Sequence, residues 1–169
     1  LQKQGGSSAQ TTGFWLVLGL VATVSTVVWG RVLGAFRGGR GPALVFMLAM
    51  LGTLPVLLHP GPAAMLASAV LFGGSFLAEP AAVAIVAQRQ VPAMSLTAAI
   101  ALLTAGFALG QAIGPVLAGA ISDAARSIAA GLWVSPVLLG LAAGAIGLQR
   151  PAGRADQPTP APSAALPPR

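Results

Sequence analysis

The chain has no cysteine and no tyrosine, and only three of its 169 residues are acidic. Without cysteine, disulfide staples and thiolate metal sites are excluded. Charged residues make up 7% of the chain, against about 25% in an average soluble domain. That leaves too little polar material to cover a globular surface. The acids are Glu79, Asp123 and Asp156, and His59 is the single histidine, so few groups are available for proton transfer or metal ligation. Ser122, Asp123 and His59 could be assembled on paper into a hydrolytic set, but such a set is defined by geometry and not by inventory. The expectation is therefore no catalytic residue, no enzyme activity, no metal and no cofactor. Nine basic residues give a formal charge of +6. They stand singly between apolar runs, with no basic face interleaved with aromatics, so nucleic acid is not an expected partner.

What the chain does have is apolar length. It is 56% hydrophobic, with a mean hydropathy of +0.85. Five apolar runs cover approximately residues 13–29, 42–58, 63–87, 93–121 and 128–148. Crossing the hydrocarbon core takes roughly 20 apolar residues, with a range of about 17–25. None of the runs alternates with period two as a lipid-facing barrel strand would. The expected fold is all-α, a polytopic transmembrane helix bundle with five membrane spans and the lipid bilayer as its solvent. Residues 1–12 read as an extracytoplasmic polar segment, and the proline-rich residues 149–169 as a disordered cytoplasmic tail.

Orientation follows from the basic residues. With the N-terminus outside, the inner segments hold Arg31, Arg37, Arg40, Arg89, Arg150, Arg154 and Arg169, and the outer segments hold only Lys3 and Arg126. The positive-inside rule then places the C-terminus in the cytoplasm. The flanks of the first run suit a retained span better than a cleaved signal peptide, since no A-x-A site follows it. Trp15 and Trp29 fall at opposite ends of this run, either as interfacial anchors or as ordinary packing residues.

Glu79 is the only acid inside an apolar run. A charge at mid-bilayer costs roughly 2.5–3.5 kcal/mol on insertion scales, so an intramembrane acid faces a cavity or a partner. Ser68, Ser75, Glu79 and Ala82 fall along one helical face, and Pro80 adds a kink. Two readings stay open: a site facing a pathway, or an acid displaced toward headgroups and Arg89. In the fourth run Gly106, Gly110 and Gly114 repeat every four residues, a stripe where another helix can approach, with Pro115 and Gly119 following. Thr97, Thr104 and Gln111 repeat every seven on another face. They border a water-filled route or hold the bundle by interhelical hydrogen bonds. The segment GRVLGAFRGGRG lacks the order of a phosphate-binding loop and reads as a tight basic turn.

Two of these segments resemble the C-terminal half of a major facilitator superfamily transporter. Gly30-Arg31, with Arg37 and Arg40, looks like the basic loop between the second and third helices of each half, although Gly34 stands where the family has an Asp. The stretch Gly110-x-x-x-Gly114-Pro115-x-x-Ala118-Gly119 is similar to the glycine–proline motif of the fifth helix of drug/proton antiporters and of its repeat-related eleventh. The two motifs are separated by two helices, as the family requires. The wording is also similar to the YbfB/YjiJ-like subgroup. The resemblance implies helices eight to twelve, a partial half-bundle, in a protein of the bacterial inner membrane. It implies secondary active transport of a small solute, with protons as coupling partner, by alternating access between two halves. It further implies a fragment, with one helix of this half and the N-terminal helices as missing partners, and Leu1 in place of Met agrees with that expectation. Glu79, Ser75, Thr104 and Gln111 are the pathway candidates under this resemblance. The alternative is a non-transport scaffold or assembly module that uses its glycine faces.

Overall fold

In a computed structural model, residues 8–36 and 38–149 are described, with side chains from Thr11 onward. The described residues form seven helices: α1 (Ser8–Ala35), α2 (Arg40–Leu58), α3 (Pro62–Phe76), α4 (Ala78–Gln90), α5 (Ala93–Ala124), α6 (Ile128–Leu132) and α7 (Val134–Gly147). Five helical stretches are long and apolar enough to cross a membrane, because α3–α4 and α6–α7 each make one interrupted span. The interruptions have local causes. Pro80 follows the α3–α4 junction and Pro136 the α6–α7 junction, and each lacks the N–H that the carbonyl four residues earlier would accept. The first helix begins earlier than the apolar run, so residues 8–12 of the polar segment are helical. Gly30 and Arg31 of the basic motif also lie inside α1 and not in a loop. Arg37 lies outside the described residues. Gly38 turns the chain at φ 67°, a conformation that glycine adopts without steric cost.

The helix contacts are short-range and depend on small residues. Within lipid no hydrophobic drive distinguishes helix from solvent, so close backbone packing carries more of the association. A Cβ on Gly52 would run into the Phe72 backbone, which places α2 directly against α3. A Cβ on Gly73 would lie 2.9 Å from the Leu18 carbonyl oxygen, which does the same for α1 and α3. Gly131 sits against Ala118 and Ser122, and Gly39 against the Ile146 carbonyl. Around these crossings Trp29, Leu33, Val45, Ala78 and Ala82 form a buried cluster joining α1, α2 and α4. Trp29 is therefore an interior residue, only 8% exposed, and its indole N–H donates to the Gly74 carbonyl at 2.6 Å. The anchor reading of Trp29 is corrected by that contact. Trp15 remains exposed.

Most hydroxyls are satisfied locally, the buried Ser68 Oγ being without a partner. The hydroxyls of Thr23, Thr26, Ser25, Thr53, Ser75 and Thr104 all donate to carbonyls three or four residues earlier, the usual way a helix absorbs serine and threonine. Arg89 reaches across from α4 to the end of α1, donating to the carbonyls of Phe36 at 2.7 Å and Leu33 at 3.2 Å. A guanidinium there satisfies carbonyls left over at a helix C-terminus and opposes the negative end of its dipole. Arg89→Ala should cost roughly 1–2 kcal/mol, between an exposed helix-end charge and a charge-assisted hydrogen bond. Thermal unfolding followed by circular dichroism in detergent reads this, and Arg89→Lys should recover part of the loss.

α5 stands apart from this packing. It runs for 32 residues and buries none of them. Its contacts are with α6 and, more sparsely, with α4. It ends in a Schellman turn, with Ser127 N–H bonded to the Ser122 carbonyl, Arg126 N–H to the Asp123 carbonyl, and Arg126 at φ 51°.

Candidate functional site

Ser68, Ser75, Ala78 and Ala82 are buried and follow helical spacing through the α3–α4 junction, forming one face. Glu79 stands beside that face, about 40° round the helix from Ser75, and opens toward a cleft between α2, α4 and α5. The expected stripe of Ser68, Ser75, Glu79 and Ala82 is thus split. Ser75 is fully buried, bonds to the Leu71 and Phe72 carbonyls, and does not line the cleft.

The cleft has a volume of about 340 Å³. Phe46 of α2 lines it, with Glu79, Pro80, Val83 and Ala84 of α4 and Ile100, Leu103, Thr104 and Phe107 of α5. Only Glu79 and Thr104 bring polar side chains to it. Glu79 lies near the middle of the Pro62–Gln90 span. Its Oε1 is buried and has no hydrogen-bond partner. Arg89, ten residues on and about 15 Å along a helix, is engaged with α1, so the pairing of Glu79 with Arg89 is not made. Among the described residues no cluster of His, Cys, Asp or Glu could hold a metal.

Two of the four pathway candidates, Glu79 and Thr104, meet in this cleft. Gln111 is exposed on α5, seven residues and about 10.5 Å beyond Thr104, and is not part of the lining. Gly106, Gly110, Gly114 and Gly119 have nothing within 4 Å of where a Cβ would stand. The close helix approach expected at that stripe is not made among the described residues. Pro115 continues the same exposed helix without ending it. Gly30 and Arg31 are exposed on α1, and Arg40 is the exposed first residue of α2.

The remaining lining residues carried no polar mark in the sequence. Ile100, Leu103, Thr104 and Phe107 do share one helical face by their spacing, as do Glu79 with Val83 and Pro80 with Ala84. Nothing in the sequence connects Phe46 to them, because that contact depends on how α2 crosses α4.

Comparison with curated proteins and with solved structures gives no match. A family model described as "Uncharacterised MFS-type transporter YbfB" matches residues 1–147. The match takes in all five spans and the cleft between α2, α4 and α5, so the chain belongs to this transporter family of the major facilitator superfamily.

Proposed function

We propose that this chain carries the solute- and proton-binding part of a secondary active transporter, with Glu79 as the group that gains and loses the proton. One observation carries the reading. A carboxylate oxygen near mid-span is buried without a partner, at the edge of a cavity whose walls are otherwise apolar. An ionised carboxylate left so is costly, and an added proton or a bound solute relieves the cost. Thr104 contributes an oxygen on the opposite wall. The uncovered length of α5 and its glycine stripe fit further helices closing the cleft from that side, as alternating access between two halves requires. Ser75 acts in this reading only through packing, and Gln111 belongs to the route beyond the cleft.

The test uses the complete gene product in liposomes loaded with a pH-sensitive dye. Sugars, carboxylates, amino acids and organic ammonium ions are added in turn under an imposed pH gradient. At least one class should accelerate proton movement above empty liposomes. No acceleration by any class would overturn proton-coupled transport and favour a scaffold role.

The arginines at Arg31, Arg40 and Arg89 against Arg126 support an N-outside, C-cytoplasmic arrangement. Single cysteines introduced into this cysteine-free chain test the arrangement, once any cysteine elsewhere in the gene product has been replaced. In intact cells Ala125→Cys should react with a membrane-impermeant maleimide, and Gly38→Cys should react only after permeabilisation. The reverse pattern would invert the topology.

A further inference from the structure

We propose that Trp29 is a positioning residue for Glu79: its indole N–H holds open the turn between α3 and α4 from which Glu79 projects. This deepens the reading of Glu79 as the proton site and rests on it, but the residues that act lie on α1 and α3, outside the cleft lining.

The turn is short of N–H groups. Pro80 has none for the Phe76 carbonyl, and its ring crowds that carbonyl. Just before it, the Leu77 N–H goes to the Ser75 carbonyl, two residues back, and not to Gly73, four residues back. In a regular helix the next carbonyl, Gly74, accepts from Ala78, the first residue after the break. A membrane interior offers little water to carbonyls released in this way, so a substitute donor has to come from the protein.

α1 brings it. The Trp29 indole donates to the Gly74 carbonyl at 2.6 Å. The Ser25 hydroxyl, which donates to Ala22 at 2.8 Å, stands 3.5 Å from the Gly73 carbonyl. Ser25 and Trp29 are four apart on one buried face of α1, so a single face meets two successive carbonyls of the opened turn. Gly73 admits the approach. A Cβ there would lie 2.9 Å from the Leu18 carbonyl oxygen and would push α1, with both donors, away. A buried indole needs some acceptor, and packing alone would be content with any carbonyl in reach. The one Trp29 takes lies three residues before the break.

Glu79 is the second residue of α4. The tilt of α4 at this turn therefore sets where the carboxyl stands against Phe46 and Thr104 on the facing helices. Without the indole donor an open turn would leave a buried carbonyl unpaired, and the cheaper arrangement returns Gly74 to Ala78. The turn then closes, α4 swings, and the Glu79 carboxyl is drawn from the cleft.

The complete gene product in lipid nanodiscs tests this with dicyclohexylcarbodiimide, an apolar reagent that adds to a protonated carboxyl. Labelling is followed by mass spectrometry on the peptide that carries Glu79. Two replacements remove the donor: Trp29→Phe, and benzothienylalanine introduced at the same position, which keeps the indole's size with sulfur in place of N–H. Both should slow labelling roughly 2- to 12-fold, the population shift that one hydrogen bond controls. A packing role predicts instead that benzothienylalanine restores the native rate while Trp29→Phe does not, and that result would overturn the proposal. So would an unchanged rate in both proteins, and solute-driven proton movement in the native protein would then leave the transport reading standing. Slower labelling in both, with no solute-driven proton movement in the native protein, would keep the positioning role and sink the transport reading.

Discussion

Glu79→Gln should remove solute-driven proton movement while leaving the protein inserted and folded. Glutamine keeps the shape of the side chain and its hydrogen-bonding length but cannot lose a proton. It also lightens the insertion cost of an acid at mid-span, so stability should hold or rise. No other titratable side chain among the described residues lines the cleft. The coupled rate should fall to the level of empty liposomes. Glu79→Asp keeps the carboxylate but withdraws it toward α4, and should retain part of the activity. The dye-loaded liposome assay gives the rate, and size-exclusion profiles confirm that the variants are intact. Unchanged coupling in the glutamine variant would remove Glu79 from the mechanism.

The second large effect is structural and falls on a glycine with no motif around it. Gly52→Ala should loosen the bundle severely, because the new methyl would strike the Phe72 backbone. A side-chain tip can rotate away, but a helix backbone can only move as a whole. Overpacking costs about 1–3 kcal/mol where the core can partly adjust, and this site stands at the upper end. Gly114→Ala, made in this chain without further helices, is the matched control. Nothing lies within 4 Å of its Cβ position, and alanine gains up to about 1 kcal/mol of helix propensity over glycine. Melting by circular dichroism should show Gly52→Ala clearly lowered and Gly114→Ala level or raised. Equal melting of the two would mean that the α2–α3 crossing is less tight than described.

This pair of glycines shows where sequence reading succeeds and where it stops. Five spans were legible because hydropathy needs only composition along the chain, and lipid imposes helices on any such run. Glu79 was legible for the same reason, as an acid where acids are costly. Partnerships were not. The repeat at Gly106, Gly110 and Gly114 stands out in sequence yet meets nothing among the described residues, whereas Gly52 and Gly73, with no repeat, hold close crossings. Periodicity shows that a stripe exists on a helix but not which neighbour reaches it. The Ser75–Glu79 face shows the same limit. A four-residue spacing leaves two residues about 40° apart round a helix, so a neighbour can bury Ser75 while Glu79 faces a cleft. Phe46 enters the cleft from a helix more than thirty residues away in sequence, a contact that only the crossing of α2 and α4 creates.

The buried Trp29 has a further use. The chain has three tryptophans, and Trp15 and Trp133 are 61% and 41% exposed against 8% for Trp29. Brominated lipids will quench the two outward indoles and spare the inward one. The emission that survives then belongs to the ring bonded to Gly74, three residues before the α3–α4 break. Any rocking of α1 against that break would lengthen the bond and shift this residual emission. The fold thus carries its own optical gauge of motion beside the cleft, with no added label.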